Sequence, residues 1–406
     1  MQEVQILNQY NLILIRYGEI WLKSQKVKIR MLKTLMNNIK NILNRNNISF
    51  YKYQLSKDSS RIFFFFNNKD LINAINILRN VFGIYSISPA FRTSSNLKNI
   101  SERTIEIAKE ILKKDDSFAL RVKRSGKHDF NSMEIAKIVG QAILDNFHDL
   151  NLKVNLTNPK KKIYIEVRDE FSYIFSQIFR NNWGGLPIES SKRVVVMDIG
   201  RMNDIIAGFL IMRRGSVIYP VLFENIENKD HLKKWVSNWE KIRDYFPLHN
   251  FKLLKVDLFY ILEKINEKIR EKKYFCGICR LVRFNILARL LKTSKFSDLR
   301  KSVGITDGCS LNNSNLCSDN VDLETISLNY LFSNYPIFTP NIGLDLENIT
   351  EISNRISTQF QKNDYCYFKP KNQEFNDKQL REIYESLKVD DLISKSIDNI
   401  EEITII

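Results

Sequence analysis

The sequence predicts an α/β multidomain protein. Three observations carry this: 406 residues with 44% hydrophobic content, an opening stretch in which apolar strands alternate with amphipathic helices, and a later strand, helix, strand unit built on continuous apolar runs. At roughly 100 to 200 residues per domain, such a length divides into two to four domains.

In chain order, Leu12–Tyr17 (LILIRY) reads as a strand, followed by Gly18 and a helical pattern from about Lys26 to Leu43. A second strand, Arg61–Phe66 (RIFFFF), precedes a helix near Leu71–Val81, so the first unit is a small α+β sandwich complete by about residue 88. Asn99–Leu112 reads as a helix, Ser117–Lys123 as a strand, and Ser132–Phe147 as a helix with Glu134 placed in its first turn to suit the dipole. Lys153–Leu156 and Ile163–Val167 form a strand pair split by the turn signal Asn158-Pro159. At Gly184-Gly185-Leu186-Pro187 the pattern changes. Arg193–Met197 (RVVVM) is a run typical of buried parallel strands, Asn203–Arg213 a helix ending at Gly215, and Val217–Phe223 a second buried strand. Helical segments at about His231–Phe246 and Asp257–Lys272 continue this domain, and Ser310–Asn320 is loop-like.

Charge is unevenly distributed. The chain carries a net +16, and residues 1–190 hold 30 Lys and Arg against 17 Asp and Glu, leaving only +3 for the rest. A basic first half suits a polyanion, whose condensed counterions are released on binding. Arg121, Lys123, Arg124, Lys127 and His128 cluster at one strand end, and Lys160, Lys161 and Lys162 follow in a turn, where exposed side chains can meet phosphates without disturbing a core. The five cysteines, Cys276, Cys279, Cys309, Cys317 and Cys366, all fall in the second half. Odd in number and spread out, they do not form a secreted disulfide framework. The start lacks a cleavable leader pattern, and no apolar run approaches the roughly 18 residues of a membrane span. The expected location is the cytoplasm, with no membrane partner. The four histidines, His128, His148, His231 and His249, are too scattered to suggest a metal site or a general base.

FALRVKRSGKHDFNSMEIAKIVGQAIL, then LKVNLTNPKKKIYIEVRDEFSYIF and GGLPIESSKRVVV, resemble a THUMP domain running into the catalytic domain of the 4-thiouridine tRNA sulfurtransferases. LILIRYGEIWLKSQ and VFGIYSISPA are similar to the start and end of that family's ferredoxin-like segment. The resemblance reaches to about Pro370 and is that of the short form, without a rhodanese domain. It implies an N-terminal ferredoxin-like domain at 1–88, a THUMP RNA-binding domain at 89–183, a doubly wound parallel-sheet domain of the adenine nucleotide α-hydrolase-like, PP-loop type at 184–375, and a C-terminal helical tail at 376–406. It also implies tRNA as the partner, gripped by the first two domains, ATP with magnesium to adenylate uridine 8, and sulfur displacing AMP. The sulfur donor would be hydrosulfide or a cysteine desulfurase. A homodimer is a further expectation.

Where the family has Ser-Gly-Gly-x-Asp-Ser after its first buried strand, this chain has Ile199-Gly200-Arg201-Met202-Asn203-Asp204. Ile199 removes a hydroxyl, Arg201 puts a long side chain where a backbone should approach closely, and Asn203 loses a charge. Two readings stay open. Either nucleotide binding has decayed and the loop is a plain turn capped by Asn203 or Asp204, or the helix dipole and Arg201 still hold phosphates in an altered way. Erosion recurs at Gly304-Ile305-Thr306-Asp307-Gly308, which replaces a Thr-Gly-Glu-Ser turn, with Asn313 nearest to the glutamine that follows in the family. Phe338-Thr339-Pro340-Asn341-Ile342-Gly343-Leu344-Asp345 keeps the outline of the family's Arg-Pro-Leu-Ile-Gly segment. Gly200, Arg201, Asn203, Asp204 and Gly308 are the candidate nucleotide-binding residues of this degenerate loop.

Cys276-Gly277-Ile278-Cys279 is a C-x2-C pair just after a helix, which alone is half a metal site. In family members with an iron–sulfur cluster, a distant cysteine in an Asp-x-Cys-x-x-Phe-x-Pro context joins such a pair. Here Asp364-Tyr365-Cys366-Tyr367-Phe368-Lys369-Pro370 stands in that place. The resemblance therefore implies Cys276, Cys279 and Cys366 as catalytic residues and as the three ligands of a 4Fe-4S cluster with one open iron for the attacking sulfur. The alternative is that they are ordinary buried thiols.

Overall fold

The computed structural model describes residues 10–226, 229–292, 296, 298–310, 330, 333–361, 366–372 and 376–405. The chain divides into two units, one ending at Leu186 and the other starting at Pro187.

The first unit holds one sheet made of β1 (Leu12–Tyr17), β2 (Phe50–Leu55), β3 (Ile62–Phe66), β4 (Ile84–Ser94), β5 (Ser117–Ser125), β6 (Lys153–Val154), β7 (Lys161–Arg168), β8 (Phe171–Phe175) and β9 (Phe179–Arg180). Its order is β2-β3-β1-β4-β8-β7-β5-β6, with β9 also on β4. Residue 88 lies within β4, which pairs with β1 through Ile84–Ala90 and with β8 through Phe91–Ser94. The helices α1 (Gln25–Arg45), α2 (Asn68–Leu78), α3 (Leu97–Ile111) and α4 (Ser132–Asn146) belong to the same unit. Asn131 caps α4 in a reciprocal box with Glu134, so the acidic residue expected in the first turn also binds the cap's amide.

The run of phenylalanines in β3 follows from burial on both sides. Ile62, Phe64 and Phe66 join the apolar stripes of the helices in the main core. Phe63 and Phe65 point the other way, into a second cluster with Leu12, Leu14, Ala90, Tyr173 and Phe175. Three strand-to-strand steps separate β3 from β8, roughly 14 Å in a flat sheet. Yet the Phe63 and Tyr173 rings stack at 4.2 Å. The sheet therefore folds over on itself, and polar groups lock the fold: Glu166 of β7 binds Arg16 of β1 at 2.9 Å, Arg61 at 3.0 Å and Arg168 at 3.0 Å. Burial works to raise the Glu166 pKa, but the three guanidiniums outweigh it and hold the carboxyl at about 2.

The second unit is a sheet of β10 (Glu189–Asp198), β11 (Ser216–Glu224), β12 (Phe251–Asp257), β13 (Ser302–Asp307), β14 (Ile337–Phe338) and β15 (Glu401–Ile405), in the order β14-β13-β10-β11-β12-β15. All pairings are parallel except that of β15 with β12. Its helices are α5 (Met202–Arg213), α6 (Lys229–Arg243), α7 (Phe259–Lys268), α8 (Phe275–Leu290), α9 (Leu346–Ile356), α10 (Asp377–Leu387) and α11 (Asp390–Asp398). The tail expected to be helical contains α10 and α11 but ends in β15, which adds to the open edge of β12. Among the described residues no helix is long and apolar enough to cross a membrane.

Candidate functional site

From β10 the chain runs to β11 and β12 on one side, then returns to place β13 on the other side of β10. The strand order reverses there, and the carboxyl ends of β10 and β13 bound the crevice where open α/β sheets take ligands. The degenerate loop and the Gly308 turn leave the sheet at these two ends.

Gly200 has φ +85°, a left-handed conformation that glycine adopts without strain, and its amide donates to Asp198 Oδ1 at 2.6 Å. The loop then closes around the side chain of Asp204 in the first turn of α5. Asp204 Oδ2 accepts from the amides of Ile199 at 3.1 Å and Arg201 at 3.4 Å, and Oδ1 accepts from the amide of Gly308 at 3.1 Å. The Arg201 guanidinium folds back on the same carboxylate, with Nη2 to Oδ1 at 2.7 Å and Nε to Oδ2 at 3.1 Å. Asp204 is fully buried and Arg201 almost so. Gly308 is needed because a Cβ there would lie 2.3 Å from Asp204 Oδ1 and 2.5 Å from its backbone nitrogen.

Around this pair the site is polar but closed. Asp198 Oδ2 accepts the indole N–H groups of Trp235 at 2.5 Å and Trp239 at 2.7 Å, two residues one turn apart on α6. Burial, then the nearby Asp204 charge, raises the Asp198 pKa well above the carboxylate range. Asn341 reaches in from the segment after β14, donating to the carbonyl of Asn203 at 2.7 Å, while its buried Oδ1 has no hydrogen-bond partner among the described residues. Thus Gly200, Arg201, Asn203, Asp204 and Gly308 do come together. Asn341 is a member that sequence reasoning placed in a segment without giving it a role. Asn313 lies outside the described residues.

Arg280 of α8 links this loop to the cysteines. Its Nη2 binds Asp307 Oδ2 at 2.8 Å and its Nη1 meets Cys309 Sγ at 2.9 Å. Burial first of all pushes the Cys309 thiol up to about 11, so it stays protonated at neutral pH. The C-x2-C pair sits on the first turn of α8 itself, with Cys276 and Cys279 7% and 8% exposed. Residues three apart on a helix share a face, which gives two thiols from one turn. Gly277 between them permits close packing, since a Cβ there would lie 2.6 Å from Leu380 Cδ2. Phe368 stacks on Phe275 at 5.5 Å, which lays the Cys366–Phe368 segment beside that turn. Thiols in this arrangement suit a soft metal centre. Among the described residues, however, no three His, Cys, Asp or Glu side chains lie close enough together to hold one metal ion. Asp364, Tyr365 and Cys317 are outside the described residues.

In the first unit, β5 and β7 pair in parallel with Ala119 opposite Lys162, Arg121 opposite Tyr164 and Lys123 opposite Glu166. Arg121, Lys123 and Lys162 therefore share one face of the sheet, and Arg124 and Lys161 fall on the other. Arg121 donates to the Leu156 carbonyl at 2.6 Å and Arg124 to that of Gly126 at 3.2 Å. Lys127 lies in the exposed turn beyond the strand. His128 bonds the Asp169 carbonyl at 2.8 Å and stacks on Phe130. Lys160 pairs with the buried Asp116 at 2.6 Å, so part of its charge has a local counterpart.

Comparison with known proteins places this geometry. Residues 12–88 match the ThiI ferredoxin-like domain, 94–177 the THUMP domain and 190–389 the family described as thiamine biosynthesis protein (ThiI). The "Probable tRNA sulfurtransferase" of Saccharolobus islandicus (strain M.14.25 / Kamchatka #1) is 31% identical over 355 residues, covering 86% of this chain and 87% of that one. The protein of the same name from Methanobrevibacter smithii is 29% identical over 362 residues, covering 86% and 87%. The fold matches a crystal structure of a 4-thiouridine synthetase–RNA complex with bound ATP, with a TM-score of 0.80 at 21% identity over 98% of this chain and 100% of that one. The chain belongs to the tRNA sulfurtransferase family.

Proposed function

We propose that this protein transfers sulfur to uridine 8 of tRNA, forming 4-thiouridine. The observation that carries the reading is the crevice at the strand-order reversal: backbone amides from two loops and the N-terminus of α5 converge on one anion position there. Arg280 connects that crevice to a helix bearing two thiols. The first unit would hold the RNA through Arg121, Lys123 and Lys162, with Arg124, Lys127, His128, Lys160 and Lys161 around them. The second would hold ATP with magnesium, its phosphates at the amides of Ile199, Arg201 and Gly308.

The uridine O4 attacks the α-phosphate of ATP and pyrophosphate leaves. Hydrosulfide, free or passed on by a cysteine desulfurase, then attacks C4, and AMP leaves with the former uridine oxygen. Cys276, Cys279 and Cys366 would hold a 4Fe-4S cluster, and when bound that cluster supplies an open iron to which sulfur can bind. Anaerobic purification tests it: a colourless, iron-free protein whose Cys366→Ala variant behaves like the parent would remove the cluster from this scheme.

A second reading is favoured by one observation, the Asp204 carboxylate filling the anion position. It is a tRNA-binding scaffold or sulfur carrier whose adenylation site has decayed. Nucleoside analysis of tRNA after deletion of the gene separates the two. Disappearance of 4-thiouridine, restored by the parent gene, supports the transferase, and an unchanged 4-thiouridine level refutes it.

A further inference from the structure

We infer that Asp204 is an internal anion that occupies the phosphate position of the nucleotide loop, so that ATP binds only in competition with this side chain. The inference rests on the reading that the loop after β10 takes the phosphates of ATP, and it specifies how that site is regulated in this chain.

An anion position in a strand–loop–helix turn is made by amides that have no partner within the helix. Here three such amides, on Ile199, Arg201 and Gly308, are directed at the two oxygens of Asp204. They come from two loops 104 residues apart, so this is more than a local cap. A guanidinium completes the shell through two further bonds to the same oxygens. Neutral residues at positions 201 and 204 would leave the cradle open, whereas Arg201 and Asp204 fill it with a pair of matched charges. The surroundings keep the pair in place. Arg280 is taken up by Asp307 and Cys309 and so does not compete with Arg201 for Asp204, and Asp198 is taken up by two indoles and the Gly200 amide and so does not compete with Asp204 for its donors. A Cβ on Gly308 would lie within 2.3 Å of the Asp204 carboxylate, so the turn that brings the third amide has no room for anything larger than glycine. A phosphate can enter only as Asp204 leaves, and Arg201, once released, is the cation at hand to accompany it.

The test is calorimetric titration of magnesium-ATP, and separately of pyrophosphate, into the full-length protein and three variants: Asp204→Ser, Asp204→Asn and Arg201→Gly/Asp204→Ser. Asp204→Asn keeps the shape of the side chain, and the double variant removes the buried arginine that would lose its partner. Thermal melts show which variants are folded. Every folded variant should bind both ligands at least roughly ten-fold more tightly than the parent, the scale of one hydrogen bond to a charged group. Folded variants that bind no tighter than a parent able to bind ATP and thiolate tRNA would overturn the role of Asp204 and leave the transferase reading standing. Variants that gain ATP binding while neither they nor the parent thiolate tRNA would support the role of Asp204 and refute the transferase reading.

Discussion

Replacing Glu166 by Gln should destabilise the first unit more than any other single isosteric change on its folded-over sheet. The carboxylate is 4% exposed and receives three guanidiniums that are 14%, 16% and 11% exposed. Its pKa falls from the ordinary 4.5 to about 2, which corresponds to about 3 kcal/mol of stability at neutral pH. Because the folded pKa lies below the unfolded one, this contribution is fully present above pH 4.5. It fades as pH falls toward the folded value, with less than half remaining at about pH 3. Urea titrations of the full-length parent and Glu166→Gln proteins, followed by hydrogen exchange on peptides from β1, β3 and β7, measure the difference directly. The variant should lose about 3 kcal/mol at pH 7, and the gap between the two proteins should narrow on acidification. A loss below about 1 kcal/mol at pH 7, or a gap that does not change with pH, would show that the three arginines are solvated well enough to do without the carboxylate.

Replacing Arg121, Lys123 and Lys162 together by alanine should weaken tRNA binding and lower the slope of log affinity against log salt by roughly two to three, whereas Lys160→Ala, already paired with Asp116, should change it little. An equal effect from both variants would mean that the three do not act as one surface. Gly308→Ala forces a Cβ to 2.3 Å from the Asp204 carboxylate, so thermal denaturation should show a loss of about 1 to 3 kcal/mol; an unchanged melt would mean the two loops are not packed this closely. The Asp198 pKa is raised from its ordinary 3.8, so this carboxyl disfavours the folded state progressively as pH rises from that value toward its folded pKa. Asp198→Asn should therefore gain stability relative to the parent between about pH 4 and pH 8, and a gap that stays flat over that range would refute the shift.

The sequence was readable where structure is local. RIFFFF announces a strand and RVVVM a buried parallel one, and β3 and β10 occupy those places. Glu134 stands in the first turn of α4 as expected, and there it completes a capping box with Asn131 only three residues away. What was not readable depends on pairs far apart in the chain. Arg16 and Glu166 are 150 residues apart, and nothing in either segment signals that the sheet doubles over between them. Asp204 could be read as a cap, but its third amide comes from Gly308, 104 residues away. The final strand β15 offers only Glu401-Glu402-Ile403-Thr404-Ile405, too short a pattern to be distinguished from the end of the helices before it.

A single element ties the cysteines to the nucleotide loop, and its burial explains why that tie is rigid. Every residue of α8 except Arg289 is buried. A helix this enclosed cannot rotate without disrupting close packing on several sides at once. Cys279 and Arg280 are adjacent, so they project to different sides of the helix. The thiols of the first turn thus have a fixed relation to a guanidinium that binds Asp307 and touches Cys309. Gly308, the neighbour of both, gives its amide to Asp204. A change that moves Asp204 out of its cradle releases the Gly308 amide in the turn after β13, whose neighbours Asp307 and Cys309 are held by Arg280 of the helix that carries Cys276 and Cys279. Coupling of this kind needs no movement of the sheet, only a rearrangement of buried side chains whose two states differ in whether the anion at the amides belongs to the protein or to its ligand.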